Sequence, residues 1–357
     1  MNLKKTAAAL LAAVMAVSFT ACASKNVSWI ATNNGEQVPA GIYLDYMVNA
    51  YYEAASKTEK QGKDVLKEQI DGVSGSAWIQ NKTDEDFKKY IAVANKAAEE
   101  GMAFTDEEIA QIDAQVYYQW QMMGGLFEQN GVSYESFLAV SHNDYLLNKA
   151  FENEYGTNGK NPVSDADLLK AFQENYFRVR TITMSLNNTD GTAKDEAAQQ
   201  KVMDKANEIL GKVNSDGSNY LDVILEYEKE QAASRGEDAS TVHEHTETSH
   251  VSYMQKGNIN YTQEMMDAIE AMGNNEVKVL TSNSMVYVLQ KLDISSTTAE
   301  DMSPYRTGVL QMLKGDEFDA TIQSWADATT VDYNVEAKNF YKPEKLKLTV
   351  KRSSSES

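Results

Sequence analysis

Apolar residues keep a helical spacing through the first half of this chain, switch to a spacing of two at Phe177, and return to helical spacing after Pro304. That order leaves few folds open. From Phe177 onward, Val179, Ile182, Met184 and Leu186 alternate with Arg180, Thr181, Thr183 and Ser185, which predicts a strand buried on one face. Much later, Tyr305, Val309, Met312, Leu313, Phe318, Ile322 and Trp325 form a helical stripe that one helix cannot bury alone. It must therefore pack back on the helices of the first half. The expected class is α+β, a mainly helical domain built from both chain ends with a small α/β unit inserted.

The first half reads as helix almost throughout. Asn33-Asn34-Gly35-Glu36 is a turn signal after the short apolar run 27–31, and Pro39 sits at a first helical position. Tyr43, Met47, Ala50, Tyr51 and Ala54 then share one helix face. Three further starts carry a hydroxyl residue with an acid three positions on, able to satisfy free amides of a first turn: Thr83 with Asp86, Thr105 with Glu108, and Ser164 with Asp167. Gly131-Val132-Ser133 opens another helix, and Gly101 and Gly156 are stops. In the middle, a helix at 193–213 precedes a polar loop at 228–248. A strand at 251–254, a helix at 263–272 and strands at 277–280 and 286–292 follow.

The amino terminus carries an address. Lys4 and Lys5, an apolar run from Ala7 to Phe19 and Thr20-Ala21 precede Cys22, the one cysteine of the chain. A basic start, a short apolar run and small residues before a cut are the pattern of a secretory signal. With cysteine at the cut it resembles a bacterial lipoprotein signal, which implies that Cys22 becomes the lipid-bearing first residue. The expected location is extracytoplasmic, anchored to the cell membrane by lipid. A net charge of −20 argues against nucleic acid, because phosphate binding depends on clustered Lys and Arg. Without disulfides, stability must come from apolar cores, and 42% hydrophobic residues are enough to build them.

Several short motifs together resemble the extracytoplasmic folding factors of the SurA and PrsA type. They are Asn34-Gly35-Glu36 ahead of Pro39 and Tyr43, the helix starts at Asn130-Gly131-Val132-Ser133 and Val163-Ser164-Asp165, and the late helix ending in Trp325. The resemblance implies a helical chaperone domain flanking a parvulin-type peptidyl-prolyl isomerase domain. Tyr253-Met254-Gln255-Lys256-Gly257, Ala268-Ile269, Asn275-Glu276-Val277 and the final strand from Tyr287 to Leu292 match a parvulin domain. Expected boundaries are a signal at 1–21, a first helical part at 22–176 and a parvulin-like domain at 177–295. A completing helix at 296–342 and a loosely ordered tail at 343–357 end the chain.

Departures from that family are specific. Active parvulins resemble one another in two histidines facing each other across the sheet, and here Thr181 and Val288 occupy those positions. The family's glycine-rich turn is replaced by Glu247-Thr248-Ser249-His250-Val251. Prolyl isomerisation needs only a pocket that favours the twisted amide, so these losses imply weak or absent catalysis without unfolding.

Two clusters remain. His243, His245 and His250 lie in one charged segment, where three imidazoles with nearby carboxylates suit a transition metal. Their spacing matches no defined metal motif, so a solvated loop is the favoured reading and neither metal nor cofactor is implied. Tyr117, Tyr118, Trp120, Met122 and Met123 crowd one helix with more apolar faces than one stripe can bury. Half are expected to pack on the late helix, and the others to line a client cradle between helical arms. No phosphate loop, nucleophile elbow or zinc helix is present.

The leading expectation is a membrane-tethered chaperone for partly unfolded exported chains, with homodimerisation left open. Two alternatives stand beside it, an active prolyl isomerase with a variant pocket and a lipid-anchored solute- or metal-binding protein. Proline-dependent turnover would mark the first, and a closed pocket with one tight ligand the second.

Overall fold

The structure, a computed structural model, describes residues 26–238, 240, 242 and 244–348. The expected leader at 1–21, Cys22, His243 and the final residues 349–357 lie outside the described residues. Within them the chain forms two units, one running up to Pro162 and resuming at Lys314, the other Val163–Leu313.

The first unit begins with a hairpin of β1 (Trp29–Asn33) and β2 (Glu36–Pro39), paired antiparallel. Asn34 and Gly35 take φ of 52° and 86°, the left-handed values that an Asn-Gly hairpin turn requires. On its other edge β1 pairs with β9 (Asp332–Tyr333), so strands from the two ends of the chain lie side by side. Asn334 reinforces this by donating to the carbonyls of Asn26 and Trp29.

Four long helices follow the hairpin, α1 (Ala40–Thr58), α2 (Gly75–Glu100), α3 (Asp106–Glu128) and α4 (Tyr134–Tyr155), with a small antiparallel pair of β3 (Gln69–Ile70) and β4 (Val73–Ser74) between the first two. The expected α1 face is wholly buried, Tyr43, Met47, Ala50, Tyr51 and Ala54 included. Thr105 and Glu108 exchange both bonds of a capping box at the start of α3. Thr83, by contrast, caps nothing. Helix α2 begins eight residues earlier with Ser74 as its cap, and the buried Thr83 hydroxyl donates to the Ile79 carbonyl. An Ser/Thr-x-x-Asp pattern inside a helix satisfies the same spacing, and only the capping amides distinguish the two cases.

The late helix spans Arg306–Ala328, and from Lys314 onward it belongs to the first unit. Phe318 packs edge-on to Phe151 at 5.2 Å, and Trp325 lies 6.0 Å from the Lys96 ammonium. Only the later half of the expected stripe, from Phe318 to Trp325, returns to the early helices; Tyr305, Val309, Met312 and Leu313 belong to the second unit. The residues after it are also anchored: Leu346 is buried, and Gln129 and Asn130 donate to the Lys347 carbonyl. The looseness expected from residue 343 onward does not hold as far as residue 348.

Asp45 is 1% exposed, accepts one bond from Asn49, and leaves its second carboxylate oxygen without a partner. Burial first, then the Asp144 charge, pushes its pKa well above the carboxylate range, against a smaller opposing pull from Asn49. A raised native value means that its contribution to stability is complete below the unfolded value of about 3.9 and is lost as pH rises through the native one. Urea denaturation should show the first unit weakening from about pH 4 upward, and Asp45→Asn should flatten that dependence. A variant with the same pH profile as wild type would refute the assignment.

The second unit opens with α5 (Asp165–Asn175), which Ser164 caps as expected. Its sheet has the order β6-β5-β8-β7, with β5 (Tyr176–Ser185), β6 (Ser252–Gln255), β7 (Val277–Ser282) and β8 (Met285–Leu292) all antiparallel. Alternation along β5 sends Ile182 to one face, against Ala206 and Ile209 of α6 (Glu196–Gly211) and Ile224 of α7 (Tyr220–Ser234). Val179 faces the other way, onto Met265 and Ile269 of α8 (Gln263–Ala271). Helix α7 overturns the loop expected from residue 228, because its apolar face of Tyr220, Val223 and Ile224 is buried despite its charged flank.

Unit boundaries fall at Pro162/Val163 and Leu313/Lys314, not at 176/177 and 295/296. Aromatic packing explains the difference. Phe172 of α5 stacks on Tyr176 with ring centres 4.3 Å apart and meets Tyr253 and Tyr305, which draws both flanks into the second unit.

Candidate functional site

Helix α3 buries a narrow stripe. Ile112, Val116, Gly124 and Phe127 face inward, and a side chain at Gly124 would collide with the Trp120 ring, so glycine leaves that ring its place. Trp120 packs on Tyr134 and Phe137 of α4, at 5.7 and 5.4 Å between ring centres. This corrects the expectation that the buried half of the group packs on the late helix. The other four stay outside, with Tyr117 at 55%, Tyr118 at 67%, Met122 at 73% and Met123 at 45% exposure. Tyr118 and Met122, four residues apart, lie one turn above the other and make one apolar strip. Isolated exposed apolar residues need no explanation, but four within seven positions form a patch able to cover another chain's apolar groups.

The two parvulin positions do not meet. Thr181 pairs with Leu289 and Ile182 with Val288, and cross-strand partners share a face. Thr181 and Val288 therefore point to opposite sides of the sheet. Val288 is fully buried beneath the α6–α7 layer, and its carbonyl accepts from the Tyr220 hydroxyl. Among the described residues no histidine lies on the sheet.

On the Val288 face sits a buried polar pair that the sequence did not single out, Arg180 opposite Gln290. Arg180 is 7% exposed; it donates to Gln290, to the Ser249 carbonyl at 3.2 Å and to the Glu247 carbonyl. Burial lowers its pKa, with the Glu247 charge opposing. Gln290 in turn donates to the Gly217 carbonyl at 2.9 Å. Gly217, at φ 68°, has no room for a side chain, since a Cβ would stand 2.1 Å from the Asn275 carbonyl oxygen. Strand, turn and loop are thus tied by hydrogen bonds through one buried guanidinium.

The loop that Arg180 holds carries two of the clustered histidines. Thr246 and Ser249 close a turn, and His250 follows at φ 59°, a left-handed value uncommon for residues other than glycine but adopted more readily by histidine than by most. Its ring reaches back so that the Nε2 atoms of His250 and His245 are 2.9 Å apart. Glu228, from α7, presents one carboxylate oxygen 3.0 Å from His245 Nε2 and the other 3.4 Å from His250 Nε2. Burial lowers the His250 pKa, with Glu228 opposing and His245 and Arg180 assisting. Glu228 was missed from sequence because it lies on another element, seventeen residues before His245. His142 stands elsewhere, bonded to Asp113 at 2.8 Å.

No family model matches the chain, and no curated protein matches it. Among solved structures it is similar to foldase protein PrsA from Streptococcus pneumoniae, at 14% identity and a TM-score of 0.39, covering 78% of this chain and 98% of that one. It is similar also to the PrsA foldase of Lactococcus lactis, at 15% identity and a TM-score of 0.36, covering 87% and 96%. For PrsA of Bacillus subtilis the values are 15%, 0.29, 85% and 92%. Superposition at this level carries no inference about activity or ligands. Among the described residues no helix is long and apolar enough to cross a membrane.

Proposed function

We propose that the protein is an extracytoplasmic folding factor, lipid-anchored through Cys22, that holds partly unfolded exported chains by shallow apolar contact. The observation that carries this reading is the exposed strip on α3 formed by Tyr118 and Met122, with Tyr117 and Met123 exposed on its flanks. Rigid aromatics and adaptable thioethers bury large area against varied partners with little geometric demand, which suits clients that share only exposed apolar groups. The motif resemblance to SurA- and PrsA-type factors points the same way.

In this reading the inserted unit is a parvulin-like domain without isomerase activity. Its candidate positions are a threonine and a buried valine on opposite faces, and neither can join the other over a proline ring. A denatured client diluted into buffer should aggregate less, by light scattering, when the protein is present at equal concentration. A proline-peptide assay should show no acceleration over the spontaneous rate of tens to hundreds of seconds. Unchanged scattering would overturn the chaperone reading; parvulin-like turnover would overturn the inactive domain.

A further inference from the structure

We propose that Glu228, His245 and His250 form a binding site for a single zinc ion, which fastens the loop before β6 to helix α7. Two segments converge there: helix α7, which supplies Glu228, and the loop before β6, which supplies His245 with its imidazole 9% exposed and His250 in left-handed backbone. Their ligand atoms all lie within 4.8 Å of one another.

The hydrogen-bond pattern leaves donor atoms turned towards one common centre. His245 Nδ1 lies 3.3 Å from the Leu221 carbonyl, which can only accept, so that nitrogen carries a hydrogen. In a neutral imidazole the other nitrogen then presents a lone pair. This lone pair faces a Glu228 oxygen at 3.0 Å and the His250 Nε2 at 2.9 Å. A hydrogen on His250 Nε2 satisfies this contact in the ion-free protein; with that hydrogen on Nδ1 instead, all three facing atoms present lone pairs and a cation between them offsets their repulsion. The Leu221 bond is also the outer contact that orients a metal-bound histidine and fixes its tautomer.

Distances and donor chemistry select the ion. Ligands about 2.0–2.1 Å from zinc stand roughly 3.3–3.4 Å apart along a tetrahedral edge. The 2.9 Å between the imidazoles and the 3.0 Å from His245 to one Glu228 oxygen need only a few tenths of adjustment, and the 3.4 Å to His250 comes from the other Glu228 oxygen, so the carboxylate would turn or bind through both oxygens. Two imidazoles and one carboxylate suit zinc and its first-row neighbours, whereas calcium and magnesium demand oxygen donors. Side-chain exposures of 31% at His250 and 35% at Glu228 leave a path in and room for water as a fourth ligand. Arg180 is a cation nearby, but the hydrogen bonds it makes go to Glu247, Ser249 and Gln290, where it positions the turn that aims His250.

The test is calorimetric titration of the chelator-treated protein with zinc chloride, alongside Glu228→Gln, His250→Gln and, as a control, His142→Gln. Wild type and H142Q should bind one zinc per chain and give a melting temperature that rises with zinc concentration. E228Q and H250Q should bind more weakly by more than the roughly 10–100-fold that loss of an orienting partner costs. Cobalt substitution should give intense visible bands of four-coordinate geometry in wild type and H142Q but not in E228Q or H250Q. Far-UV circular dichroism establishes that each variant is folded, and E228Q, altering a part-exposed helix residue, keeps the test valid if H250Q is not. Absence of binding in wild type, or equal affinity in E228Q and wild type, would overturn the site.

Discussion

Phe172→Ala should lower the stability of the second unit by about 3–5 kcal/mol, the range for emptying a fully buried aromatic site. The ring is 0% exposed and is the hub of four: it stacks on Tyr176 at 4.3 Å and touches Tyr253 at 4.9 Å and Tyr305 at 5.2 Å. Each contact links a different segment of the unit, so the cavity would loosen helix, sheet and carboxy-terminal flank together. Spectroscopy can isolate the effect. All four tryptophans, Trp29, Trp78, Trp120 and Trp325, belong to the first unit. Circular dichroism in urea should therefore show an early transition in the variant, while tryptophan fluorescence keeps its wild-type midpoint. Phe172→Leu, which retains most of the volume, should recover the greater part of the loss. A shift below about 1 kcal/mol would mean that the aromatic cluster does not hold the unit together.

Client protection should fall by roughly 100-fold in a double variant, Tyr118→Ser with Met122→Ser. Two apolar contacts worth about 1.4 kcal/mol each are removed, and each such contact is a factor of ten in affinity. Neither substitution introduces a charge, so repulsion by an already acidic surface cannot mimic the effect. Exposures of 67% and 73% place both side chains outside the core, and the folding stability should change by no more than about 0.5 kcal/mol. Aggregation suppression measured against protein concentration reads the loss directly. Full protection by a folded double variant would remove α3 as the client surface.

Much of this architecture is written in local spacing. The Asn34-Gly35 turn, the α1 face and the Thr105–Glu108 box all appear where the residues place them, because each is decided by neighbours within four positions. Helix α7 was legible too: Tyr220, Val223, Ile224 and Tyr227 recur at helical spacing, but Glu226, Glu228, Lys229 and Glu230 disguise the stripe as a loop. The sheet faces were harder. Whether Thr181 opposes Val288 or Leu289 depends on a register of one residue, which no single strand specifies and which reverses every side chain. Arg180 reads as the polar half of an alternating strand, yet it is buried because loop carbonyls satisfy its donors. Glu228 joins two histidines only after the turn at 246–249 folds back, a closure with no signature of its own.

Pairing of β1 with β9 has a consequence for synthesis. A polypeptide emerges amino end first, and domains generally fold as units during that emergence. Here the strand that completes the β1 edge lies some three hundred residues downstream of it. Residues 163–313 can reach their native arrangement while the earlier helices still await their final strand and closing helix. The opening segment thus spends nearly the whole of its own translation with an open edge, and a ribosome stalled before residue 332 would release a chain whose second unit is complete and whose first is not.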